Sequence, residues 1–91
     1  LRYYDMVPKD DWRRCGQEEC LAGIPLKFVA RFTPTKPTWD HEHCEFCWAK
    51  ISPYEGDLPG GYCTLDEYHW ICPECYEDFK EELGWTLENG Q

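Results

Sequence analysis

Between Ile24 and Phe32 the chain reads I-P-L-K-F-V-A-R-F, in which Leu26, Phe28 and Ala30 or Phe32 alternate with Lys27, Val29 and Arg31. A period of two sends successive side chains to opposite faces and predicts a strand with one polar-leaning face. A different spacing links Cys75, Tyr76, Phe79 and Leu83, which gathers apolar side chains along one side of a helix. Pro73 suits that helix's first position, and Glu74, Glu77 and Asp78 suit its first turns, where carboxylates meet the positive end of the macrodipole. Gly84 marks the end through the left-handed capping conformation, with Trp85 next to it expected to fold back on Phe79. Two short aromatic and β-branched runs, W-A-K-I-S from Trp48 and Y-H-W-I-C from Tyr68, are expected to pair as a hairpin across the Gly- and Pro-rich loop S-P-Y-E-G-D-L-P-G-G-Y. Near the start, V-P-K-D-D-W-R-R-C-G predicts a short helix that opens at Pro8, carries Asp10 and Asp11 in its first turn and stops at Gly16.

Pro34 and Pro37, set among threonines, break this pattern with an extended connector. The expected organisation is a single domain over 1–91, in which an N-terminal helix and strand segment (1–33) packs on a second module (40–88). A chain of 91 residues buries only about 60 to 65% of the surface it exposes when unfolded, so its core is thin. With 42% hydrophobic and 16% aromatic residues it is nonetheless globular in composition, and a cross-link or a metal would make up the shortfall. The most apolar segment, Ile24 to Phe32, is interrupted by Lys27 and Arg31 and falls far short of the ~20 residues that cross a bilayer. No basic region followed by an apolar stretch and a cleavage site opens the sequence, so secretion has no support.

The metal is indicated by the cysteines. Seven is an odd number, which a pure disulfide framework cannot pair off, and a reducing compartment with a metal explains them better. Cys44, Cys47, Cys72 and Cys75 form C-x2-C-x24-C-x2-C. Each C-x-x-C puts two sulfurs on one side of a tight turn, and two such turns complete a tetrahedral shell around one structural zinc with no open position. Iron suits the same four-thiolate cage. A redox role wants one C-x-x-C after a strand in a βαβ setting, and two matched pairs argue against it. His41, His43, His69 and Cys63 are expected to serve packing and hydrogen bonding rather than a second site, with His43 able instead to substitute for a cysteine ligand or to orient one from behind. Cys15 and Cys20, about 140° apart on a helix, are expected to be small buried hydrophobes.

A knuckle, a hairpin and a helix whose first turn supplies the second ligand pair resembles the treble-clef zinc fingers over residues 41–85. The boxes H-C-E-F-C-W (His43 to Trp48) and Y-H-W-I-C-P-E-C (Tyr68 to Cys75) are also similar to those of small, largely uncharacterised bacterial proteins with H-C-E-F-C-W and Y-x-W-I-C-x-x-C boxes. The resemblance implies an α+β fold, small and zinc-stabilised, packed on the N-terminal helix and strand. Treble clefs bind nucleic acids, proteins and small ligands alike, so it implies a fold and not a function.

Charge narrows the function. The net charge of −9 divides unevenly: residues 1–39 carry seven basic against five acidic side chains, +2, and residues 40–91 carry two against thirteen, −11. Such a surface repels phosphates. On the predicted helix, Glu77, Asp78, Glu81 and Glu82 are accompanied only by Lys80, an excess of one sign that steers association with the other. Together with Trp85 as an aromatic anchor, these carboxylates are the expected partner-binding residues. The expectation is a cytoplasmic inhibitor or immunity-type protein that blocks a basic protein partner. The alternative is a nucleic-acid-associated zinc-finger regulator using Arg2, Arg13, Arg14, Lys27 and Arg31. No convergent acid, base and open metal position suggests an enzyme or a small-molecule substrate.

Overall fold

The computed structural model describes residue 7, residues 10–34 and residues 38–88. It is a small mixed α+β structure in the order α1 (Gln17–Leu21), β1 (Pro25–Val29), β2 (Glu42–His43), β3 (Lys50–Ile51), β4 (Gly61–Thr64), β5 (Trp70–Ile71), α2 (Pro73–Leu83) and β6 (Thr86–Leu87). Four strands form one sheet in the order β5-β4-β1-β6, and β2 pairs with β3 in a separate two-stranded ribbon. β1 runs antiparallel to β4, with Leu26 opposite Thr64 and Phe28 opposite Tyr62, and parallel to β6, with Leu26 opposite Leu87.

The alternation read along β1 distributes side chains between two apolar clusters, as the pleat requires. Leu26, Tyr62 and Ile71 face α2 and join Phe46, Cys75, Tyr76, Phe79 and Trp85. Val29, Cys63 and Trp70 point the other way and meet Phe32 and Ile51. Phe28 does not share the burial of Leu26: it is 42% exposed and lies at the outer end of a ring stack that runs through Tyr62 to Tyr76 and Trp85, with Tyr62 and Tyr76 3.7 Å apart and 7° from parallel. The backbones of the loop before β4 and of β1 approach too closely for side chains, since a Cβ on Gly60 would stand 2.1 Å from the carbonyl oxygen of Val29.

Helix α2 occupies the range read from the sequence. Cys72 is its N-cap, Pro73 opens it, and Gly84 closes it at φ 66°, donating its N–H to Lys80 O. Two other expectations fail. Residues 10–15 form turns in place of a helix, because the Asp11 carboxylate takes the Arg13 amide at 2.9 Å and offers the backbone a local alternative to helical bonding. Gly16, expected to stop a helix, precedes one, holding φ 98° at the N-terminus of α1; Pro8 lies outside the described residues. Nor do the runs after Cys47 and before Cys72 pair with each other. β3 turns back on β2 and β5 on β4, the closures that span the shorter loops and therefore cost less chain entropy. The two hairpins meet where Cys44 bridges Trp70 and the Glu45 amide donates to Trp70 O at 2.8 Å.

Candidate metal centre

The first ligand pair sits in the turn between β2 and β3. The Cys44 amide donates to Ala49 O (2.9 Å) and the Trp48 amide to Cys44 O (3.1 Å), which folds the chain tightly around residues 44–48. That turn aims the amides of Phe46 and Cys47 at Cys44 Sγ, at 3.4 and 3.5 Å. The second pair opens α2, where Cys72 Sγ accepts the Cys75 amide at 3.4 Å. An N-cap thiolate satisfies an orphan donor of the first turn and gains from the helix dipole. Backbone donors thus reach one sulfur of each pair, Cys44 Sγ and Cys72 Sγ, with the polarity that favours an anion there.

The four Sγ atoms lie within 4.8 Å of one another, with Cys47 and Cys72 at 3.5 Å. Sulfurs bound at about 2.3 Å around a tetrahedral ion stand about 3.8 Å apart, so the set is compatible with one zinc. Cys44, Cys72 and Cys75 are buried and Cys47 is partly exposed. Hydrogen bonds from Cys72, then Cys75, pull Cys44 far below the usual thiol range. The same contacts with Cys44 push Cys72 and Cys75 upward. One negative charge is readily held in the cluster and further ones are opposed, an opposition that a divalent cation removes.

An arginine completes the site. Arg13 donates to Cys75 Sγ at 3.4 Å and to Asp78 at 2.9 Å, and is held from behind by Asp11. Arg14 pairs with Glu82 at 2.7 Å, and both guanidiniums lie over the ring of Phe79, at 5.0 and 5.2 Å, whose flank stacks on Phe46 at 4.6 Å. Nothing local in the sequence announces this clasp, because Arg13 and Asp78 are 65 residues apart. It also changes the view of the acidic helix face: Asp78 and Glu82 hold the N-terminal segment, and Glu77 pairs with Lys80. The carboxylates do not simply repel one another.

Trp85 is not an exposed anchor. It is 7% exposed, its indole N–H donates to Leu21 O at 2.7 Å, and its ring packs on Phe46 and Tyr76. The left-handed turn at Gly84 directs it into the core. Cys15 and Cys20, expected to be buried, are exposed: Cys15 lies ahead of α1, and in that five-residue helix Leu21 is the residue that turns inward. Cys63 is fully buried, and burial pushes its thiol up to about 11. His41 and His69 engage Asp40 and Glu45. Among the described residues, Cys44, Cys47, Cys72 and Cys75 are the group placed to hold a metal ion, and no helix is long and apolar enough to cross a membrane. Compared with protein-family models, curated proteins and solved structures, the chain matches none.

Proposed function

We propose that the chain is a treble-clef zinc module, holding one structural zinc on Cys44, Cys47, Cys72 and Cys75, that works by binding a basic protein and blocking it, in the manner of an inhibitor or immunity protein. The order of the elements supports the first half: a knuckle between β2 and β3, a hairpin of β4 and β5, then a helix beginning at the second ligand pair. With four thiolates around it the ion has no open position for substrate, and its work is to hold the fold. The reducing cytoplasm is the compartment that suits seven free thiols.

The observation that carries the second half is where the cations go. Arg13, Arg14, Lys27, Lys50 and Lys80 pair with the chain's own carboxylates, which outnumber the cations in a chain of net charge −9. Beside it Trp12, Trp39, Trp48, Tyr54 and Tyr68 are each at least half exposed, ring types that dominate binding hot spots. The same pairs weigh against a nucleic-acid regulator, whose phosphate contacts would draw on Arg13, Arg14 and Lys27. The test is capture by the immobilised zinc-loaded protein from an extract of its host, with mobility shifts on DNA and RNA alongside. The expected result is a basic protein whose association slows with added salt and whose activity falls when it is bound. No stable partner at any ionic strength, or a nucleic-acid complex with a steep salt slope, overturns the reading.

A further inference from the structure

Trp48 is the knuckle residue that the metal centre does not explain. It holds φ at 68° and closes the turn through its backbone N–H on Cys44 O. Glycine would do this without strain, whereas a bulky L-residue at positive φ is an outlier. The core gains little in return, because Trp48 is 66% exposed. Glu67, the other described non-glycine residue at positive φ, has a use within the molecule: its carboxylate pairs with Lys27 and its carbonyl accepts the Trp70 indole N–H. Backbone strain retained at a residue whose side chain faces solvent points to a role for that side chain outside the molecule.

The surroundings of Trp48 say what kind of role. The His43 ring lies 6.4 Å from it and the His41 ring 4.9 Å from His43, edge-on. Trp39, 50% exposed, joins the two histidines and Glu42 in lining an open recess of roughly 270 Å³. Carboxylates are built into this aromatic surface. Glu42 accepts the Trp39 indole N–H, and Asp40 takes His41 on one oxygen and the Tyr54 hydroxyl on the other. Lys50, across the ladder from His43, is paired with Asp57 at 3.7 Å.

We propose that the surface around strand β2, running from Trp48 and His43 on its outer side to the recess of Trp39, is the docking surface for a cationic segment of a partner protein, with Trp39 and Trp48 receiving Lys or Arg side chains on their ring faces and Asp40 and Glu42, which alternate with the two histidines along the chain, neutralising them. The proposal rests on the reading that the chain binds a basic protein, and it places the contact on the knuckle hairpin instead of on α2. Ring faces attract cations most strongly when water is excluded. A purely apolar occupant would strip water from two carboxylates without replacing it, and an anionic one would be repelled.

The experiment selects binders for the zinc-loaded full chain from a displayed library of random 12-residue peptides and measures them against Trp48→Gly and Trp39→Ala. Selected peptides are expected to be enriched in Lys and Arg, to lose at least about tenfold in affinity on either variant, as removal of an anchor residue does, and to shift the indole N–H resonances of Trp39 and Trp48 while leaving those of Trp70 and Trp85 in place. Trp48→Gly is expected to keep its zinc and to melt no lower than wild type. Cationic peptides that bind both variants as tightly as wild type overturn the site and leave the basic-partner reading standing. Selected peptides without Lys or Arg enrichment, or none selected at all, overturn both. Loss of zinc or a lowered melting temperature in Trp48→Gly shows that the indole serves the fold, and it overturns the strain argument even if the Trp39→Ala result is as expected.

Discussion

At the scale of single residues, Trp85 joins three parts of the chain: it follows α2, hydrogen-bonds the end of α1 and stacks between Phe46 and Tyr76. Trp85→Phe keeps most of the ring and leaves Leu21 O without its donor, which should lower stability by about 1 to 3 kcal/mol. Trp85→Ala should cost about 3 to 5 kcal/mol, because a cavity opens as well; denaturant unfolding measures both. A partner anchor would instead change affinity at constant stability. The four-cysteine cluster could be found in the sequence because each pair is fixed by a spacing of three residues, and short-range spacing is what a sequence displays. Trp85 and Arg13 could not be placed that way. An indole after a helix cap can turn inward or outward, and an Arg–Arg pair carries no mark of a carboxylate 65 residues away.

At the scale of elements, α2 was readable because it has its own signals at both ends, a proline at the start and a glycine at the stop. At Gly84 a new Cβ meets nothing within 4 Å, so a substitution there is opposed by φ alone. Gly84→Val should destabilise by about 1 to 2 kcal/mol, read as a lower melting temperature with zinc content unchanged. The clasp of residues 11–14 on this helix should depend on pH. The hydrogen bond from Arg14 holds the Glu82 carboxyl below its ordinary 4.5. A depressed folded-state pKa means stability that is fully present above 4.5 and is lost as pH falls through the lower folded value. The stability gap between wild type and Glu82→Gln should therefore be widest at neutral pH and shrink as pH falls below 4.5, which melting curves across a pH series can check. The turn at 10–15 and the two hairpins were not readable, because there propensity competes with one side-chain bond or with the choice between nearer and farther strand partners.

At the scale of the whole molecule, the apolar cluster against α2 contains Leu21 and Leu26 from one side of the Pro34–Pro37 connector and Phe46, Phe79 and Trp85 from the other, with three of the four clustered cysteines buried among them. On the proposal that the four-cysteine cluster holds a structural zinc, a core this small would rely on it, since such an ion contributes about 10 to 16 kcal/mol of apparent binding free energy against total stabilities of about 5 to 15 kcal/mol. Chelation should unfold β1 and α1 together with residues 40–88, and elemental analysis before chelation should give about one zinc per chain. Retained tryptophan fluorescence and an unchanged melting transition after chelation would take the metal out of the fold's support. The sheet has a further consequence, for how a newly made chain matures. β1 is flanked by β4 and β6, strands made long after it, so Leu26 has nowhere to go while the ribosome is still at the knuckle. The early third of the chain must wait, exposed to proteases and chaperones, until both ligand pairs and β6 have emerged. If the cluster holds zinc as proposed, zinc supply would set the amount of protein that survives, and the steady-state level in the cell should follow metal availability even where transcription does not.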